Sequence, residues 1–138
     1  MPYLLDTNIV SYFLRGRPTI VAKIKEAGGI DALFVTAITV AEQRYRAEVM
    51  PEGRKKEHLV ASLDVALDSV EVLPFTQDAA AAFGWARALL EKEGVGWTWP
   101  DLAIASVGLA ENMTVVSNDG FFQHVEYVCG LKFERWEP

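Results

Sequence analysis

What most constrains this chain is an alternation: short apolar runs, each followed by a segment whose apolar residues recur at helical spacing. Tyr3-Leu4-Leu5, Leu33-Phe34-Val35, Val70 to Leu73 and Met113 to Val116 are too short for helices and read as buried strands. After the first run, Ile9, Val10, Phe13 and Leu14 keep helical spacing up to Arg15-Gly16. Pro18 opens a second helix with Ile20, Val21, Ile24 and Ala27 inside it and Gly28-Gly29 as its stop. Thr39 and Glu42 have the spacing of a capping box, although the same helix can begin at Thr36; it runs to about Val49, before Pro51. A long helix from about Glu52 places Leu59, Val60, Leu63 and Leu67 on one face. Beyond Pro74, Thr76 starts an Ala-rich helix that reaches Lys92 and Glu93 and stops at Gly94. Thr98-Trp99-Pro100-Asp101 is the clearest helix start, with Thr98 as N-cap, Pro100 in the first turn and Asp101 near the positive end of the dipole. That helix ends near Asn112, and a weak last strand is expected around Leu131 to Phe133.

Strands separated by helices imply βαβ units. The expected fold is therefore an α/β/α three-layer sandwich around a mostly parallel sheet of four to five strands. A length of 138 residues suits one domain, residues 1–138, and no linker, repeat or low-complexity segment interrupts it. No apolar stretch approaches the roughly 18 residues that a membrane helix needs. The start has no basic region ahead of a long apolar run, and the one cysteine, Cys129, cannot form an internal disulfide. The expectation is a reduced, cytoplasmic protein without a membrane partner.

The net charge of −6 argues against binding nucleic acid through global electrostatics. The distribution says more. Residues 1–56 hold nine Lys or Arg against six acids, whereas residues 57–138 hold four against thirteen. A basic half could steer a polyanion to one face; two ordinary solvated surfaces are the simpler explanation.

In an open parallel sheet, sites form beyond the carboxyl ends of the strands. Asp6 follows the first strand and Asp119 the fourth, Asp101 lies in the first turn of the helix before the fourth, and Glu42 sits early in the helix after the second. Each has a structural explanation of its own. Asp6 can cap a helix, Glu42 can pair with Arg46, Asp101 suits a helix start, and Asp119-Gly120 is ordinary turn chemistry. Together, four clustered acids would repel one another at neutral pH, and a divalent cation bound by hard oxygen ligands removes that penalty. Other chemistries are poorly supplied. His58 and His124 lack metal-ligand spacing and suit the surface, Cys129 has no nearby His, and no Gly-rich phosphate loop is present. Metal-assisted hydrolysis is the reaction class left.

Four segments carry a resemblance: Leu4-Leu5-Asp6-Thr7-Asn8-Ile9-Val10, Ile38-Thr39-Val40-Ala41-Glu42, Pro100-Asp101-Leu102-Ala103-Ile104-Ala105 and Val115-Val116-Ser117-Asn118-Asp119-Gly120-Phe121-Phe122. In this order and at this length they resemble PIN-domain proteins, and within them the VapC-type toxins of toxin–antitoxin pairs. The resemblance implies a PIN-like sandwich and an endoribonuclease dependent on one or two Mg²⁺ or Mn²⁺ ions. Asp6, Glu42, Asp101 and Asp119 would hold the metal, with Thr7 and Ser117 as supporting hydroxyls. It further implies an RNA substrate, a homodimer, and a cognate antitoxin whose tail covers the catalytic groove. Arg15, Arg17, Arg44 and Arg46 are the candidates for guiding the RNA backbone.

Two departures stand out. Where the family often has an apolar residue after the glutamate and a small one three positions later, this chain has Gln43 and Arg46. Trp97 and Trp99, ahead of Asp101, could stack on unpaired bases, but core or dimer packing is the better expectation. Readings from other classes fit less well. A receiver domain needs a Lys after a late strand, and none follows Val116; a phosphotransferase with Asp6 as nucleophile wants a second Asp where Asn8 stands. An inactive PIN-like interaction module is disfavoured by the presence of all four acids.

Overall fold

The computed structural model describes residues 2–27 and 32–138, so the Gly28-Gly29 stop expected for the second helix lies outside the described residues. The order is β1 (Tyr3–Leu5), α1 (Thr7–Leu14), α2 (Pro18–Glu26), β2 (Leu33–Thr36), α3 (Ala37–Glu48) and α4 (Arg54–Asp68). Then come β3 (Glu71–Leu73), α5 (Gln77–Lys92), α6 (Trp99–Glu111), β4 (Thr114–Ser117), α7 (Gly120–Cys129) and β5 (Phe133–Arg135). The strands form one sheet in the order β3-β2-β1-β4-β5, and every neighbouring pair is parallel. The chain winds outward from β1 to β2 and β3, then returns to the far side of β1 for β4 and β5. That reversal puts a crevice between the carboxyl ends of β1 and β4, the place where such sheets form sites.

Alternation along the central strands sorts the core into two layers. Leu4 and Val115 point to one face and are covered by α5, α6 and α7 through Phe83, Leu90, Leu102, Ile104, Phe122 and Val125. Leu5 and Val116 point to the other, where Ile9, Val10, Ile20 and Trp136 cover them. Helix α6 lies close against the sheet because Gly108 has no side chain. A Cβ there would meet Val115 Cγ2 at 2.6 Å.

Of the two starts the sequence allows for α3, the structure takes Thr36, whose hydroxyl accepts from the Thr39 backbone N–H at 3.1 Å, so no capping box forms between Thr39 and Glu42. Two expectations need correction. The fifth strand lies two residues later than expected. Leu131 is buried from the loop ahead of it, and the strand is an edge one, paired only with β4, so it keeps the polar Glu134 and Arg135. Helix α7 was not foreseen: Asp119-Gly120 is no simple turn, because Asp119 caps a helix that buries Phe122 and Val125 and ends at Gly130 with φ +76°.

Candidate active site

Every element that meets at the β1–β4 crevice delivers one acid or one hydroxyl. Asp6 leaves β1 as the N-cap of α1 and is 2% exposed. One carboxylate oxygen accepts from the Thr7 N–H at 2.7 Å, and the other accepts from the Ser117 hydroxyl at 2.7 Å. Ser117, the last residue of β4, also accepts from the Asp119 N–H at 3.0 Å, and Asp119 in turn caps α7 by accepting from the Phe121 N–H at 2.9 Å. A single buried hydroxyl thus ties the ends of the two central strands together.

From α3, Glu42 reaches across to α1 and accepts from the Thr7 hydroxyl at 2.6 Å, and Thr7 also shares a 3.1 Å hydrogen bond with Thr39. The ion pair with Arg46 that helical spacing allowed does not form, because each partner turns toward α1 instead. Asp101 enters from the first turn of α6. Thr98 precedes it as N-cap residue without a side-chain bond to the helix backbone; its hydroxyl serves the Asp101 carboxylate.

Electrostatic coupling links these acids. Burial, reinforced by Asp101 and Asp119, pushes the Asp6 carboxyl up from 3.8 to about 7, against the opposing pull of the Ser117 hydroxyl and Thr7 N–H. Asp101 is likewise raised, first by burial and then by Asp119 and Glu42, with Thr98 partly offsetting them. Asp101 is therefore within electrostatic reach of the other three acids. Among the described residues no ion pair relieves Asp6.

These donors suit a hard divalent cation in type, being carboxylates and hydroxyls alone. They do not form a tight cage: among the described residues, no three His, Cys, Asp or Glu side chains are grouped closely enough to enclose an ion. The two facts agree for an ion such as Mg²⁺, which keeps much of its water and takes only one or two protein carboxylates directly. The raised Asp6 carboxyl is the second indication: burial is its main cause, Asp101 and Asp119 add to it, and a bound cation would offset both.

The arginines divide. Arg15 and Arg46 line a polar cavity of about 340 Å³ between α1 and α3, together with Thr7, Ser11, Tyr12 and Glu42. Arg44 is not brought there; it pairs with Asp64 of α4 at 2.7 Å. Arg17 stands exposed at the start of α2, outside that cavity. Gln43, the sequence departure, is 1% exposed and donates to the Thr7 carbonyl at 3.3 Å and to Ser11 Oγ at 2.8 Å. Its own Oε1 has no partner among the described residues, at a cost of about 1–3 kcal/mol. Nothing in its spacing marked Gln43 as part of a network, because the contact depends on how α1 crosses α3. His58 and His124 are exposed, as expected, and take no part. Trp97 and Trp99 join Phe83 in an aromatic cluster, Trp99 stacking on it at 4.4 Å while staying 61% exposed.

Comparison with known proteins turns on the whole arrangement. The PIN domain family matches residues 3–127, which takes in all four acids. This chain is a PIN domain. It is 33% identical over 137 residues to Ribonuclease VapC2 of Haemophilus influenzae, covering 99% of this chain and 98% of that protein. The Toxin FitB of Neisseria gonorrhoeae is 31% identical over 84% of this PIN domain and 86% of its own length. Among solved structures, VapBC2 from Rickettsia felis bound to a promoter DNA fragment superposes with a TM-score of 0.85 at 28% identity, covering 99% and 100% of the two chains. The PIN fold expected from the sequence is the one observed.

Proposed function

We propose that this PIN domain is a metal-dependent endoribonuclease, the toxin half of a toxin–antitoxin pair. The observation that carries the reading is Asp6: a buried carboxylate at the sheet's switch point, pressed by two further acids and relieved by no ion pair among the described residues. Asp6, Asp101 and Asp119 would surround Mg²⁺ or Mn²⁺, one or two of them binding it directly and the rest through its water, with Glu42 at its edge. The cation, when bound, supplies Lewis acidity toward a water and the scissile phosphate. Ser117 holds Asp6 in register with Asp119, and Thr7 holds Glu42 where that carboxylate can orient the attacking water and take its proton.

The antitoxin has a suitable berth. An apolar cleft of about 720 Å³ opens between α1, α2 and α4, lined by Phe13, Leu14, Ile24, Val65, Leu67 and Val70. A partner's amphipathic helix fits such a groove, and the related solved structures are toxin–antitoxin complexes. We further propose a homodimer acting on RNA in the cytoplasm; among the described residues no helix is long and apolar enough to cross a membrane.

The test is incubation of purified protein with total RNA, with and without Mg²⁺ or Mn²⁺, followed by mapping of the cut ends. Discrete cuts that need the metal and vanish in Asp6→Asn are expected. Cleavage that persists in EDTA, or full activity of the Asp6→Asn variant, would overturn the reading.

A further inference from the structure

Helices α1 and α3 are joined by two parallel rungs. Thr7 bonds Glu42, and one turn further along each helix Ser11 bonds Arg46, whose Nη1 donates to Ser11 Oγ at 2.9 Å. Gln43 lies between the rungs and touches both, through the Thr7 carbonyl and Ser11 Oγ. The first rung belongs to the carboxylate centre. The second lies further along the same 340 Å³ polar cavity, which both rungs line, and it carries no carboxylate.

Resting on the ribonuclease reading, we propose that Ser11 and Arg46, positioned by Gln43, form a built subsite for an RNA backbone phosphate beside the scissile one. Guanidinium offers five N–H donors in a fixed fork. One of Arg46's is spent on Ser11, and no carboxylate pairs with it among the described residues. The unspent donors suit bidentate contact with phosphate oxygens. Ser11 Oγ already accepts two hydrogen bonds, from Gln43 and Arg46, so its proton is what it has left to give. Arg15 adds a second positive charge at the same cavity. The rungs are separated by one helical turn, roughly 5.4 Å, a step comparable with that between neighbouring phosphates of an extended strand.

Gln43 explains itself only in this setting. A buried amide with an orphaned oxygen weakens the fold, and an apolar residue of similar size would pack there without that cost. What Gln43 does is orient Ser11, and through it Arg46. The two departures from the family pattern, Gln43 and Arg46, are therefore two ends of one device.

The experiment measures binding of a single-stranded RNA oligonucleotide across a salt series, with Mg²⁺ present, in the Asp6→Asn protein, which is expected not to cut. Arg46→Gln is expected to weaken binding about tenfold and to reduce the slope of log affinity against log salt by about 0.7. Arg46→Lys keeps the charge and the slope but loses the fork, with a smaller drop. Gln43→Leu should hold or raise Tm while weakening RNA binding about threefold; in the active protein it should raise KM and leave kcat nearly unchanged. Arg44→Gln, whose parent side chain pairs with Asp64, should change neither quantity. Unchanged affinity and slope in Arg46→Gln would overturn the subsite. So would a Gln43→Leu variant that loses Tm without losing RNA affinity, which is what a purely structural role predicts. Loss of antitoxin affinity in Arg46→Gln with RNA binding intact would assign the cavity to an acidic protein segment, and overturn it too. If Asp6→Asn protein with Arg46 intact binds no RNA, the ribonuclease reading itself has failed, and the subsite with it.

Discussion

On the sheet side of the carboxylate centre, Asp6 and Asp119 sit at the ends of adjacent parallel strands, each capping the helix that follows, and Ser117 joins them. On the helix side, Glu42, Gln43 and Arg46 come from a single helix and are held by the side chains and one carbonyl of α1. The first half takes its geometry from the backbone: any chain that winds its strands this way and caps these helices with Asp places the two acids together. The second half takes its geometry from side-chain contacts, so each substitution there changes what the site can hold. The difference points to a division of labour, with the acids that would hold metal fixed by topology on one side, and the handling of water and RNA tuned by sequence on the other.

The comparison can be broken most directly at the acids. Asp119→Asn should cut cleavage by on the order of 10³-fold or more, because it removes a charge that would face the metal, whereas Glu42→Gln should cost about 10–100-fold. Equal losses, measured as single-turnover rates at saturating Mg²⁺, would erase the distinction between the halves.

The next largest effect is on stability in the metal-free protein. Asp6 titrates near 7 when folded and near 3.8 when not, so between those values the folded state holds the extra proton. Stability should therefore be greatest below about pH 4 as far as this group is concerned, fall as pH rises toward 7, and level off above it. At about 1.4 kcal/mol per unit, the total is on the order of 4 kcal/mol. Denaturant unfolding across this range should reveal the fall, Asp6→Asn should remove most of it, and added Mg²⁺ should counter it at pH 7 and above. A flat profile in the unsubstituted protein would mean that Asp6 is not buried among acids.

Ser117→Ala tests the tie between β1 and β4. Loss of a hydrogen bond that orients a ligand typically costs 10–100-fold in metal affinity or activity, and the Mg²⁺ concentration for half-maximal cleavage should rise accordingly. Thr7→Val, which frees Glu42 on the side-chain half, should produce a loss of about tenfold or less, in rate and not in Mg²⁺ requirement. A reversal of those two signatures would exchange the roles assigned to the halves.

Much of this was legible beforehand, for identifiable reasons. Short apolar runs ending at Asp6 and Ser117 mark strand ends whatever the tertiary structure does, and Pro100 with Asp101 marks a helix start. Helix α7 was missed because Asn118-Asp119-Gly120 is strong turn chemistry and the residues after it, Phe121, Phe122 and Val125, have low helix propensity. Their helical spacing and the Gly130 stop were the signal available. The fifth strand slipped because Leu131 is apolar for packing against Gly108, not for pairing.

By itself the sequence determined the element types, the parallel sheet they imply and the four acids at strand ends and helix starts, because caps, turns and periodicity act over a few residues. Only the tertiary structure decided that Asp101 reaches the other three acids, that Glu42 turns to Thr7 and not to Arg46, and that a buried Gln43 braces Ser11 against Arg46. The Thr7–Glu42, Ser11–Gln43 and Ser11–Arg46 bonds join residues 32 to 35 positions apart. The pairings depend on where α1 crosses α3 and where β1 lies beside β4, and no local rule of spacing contains that information.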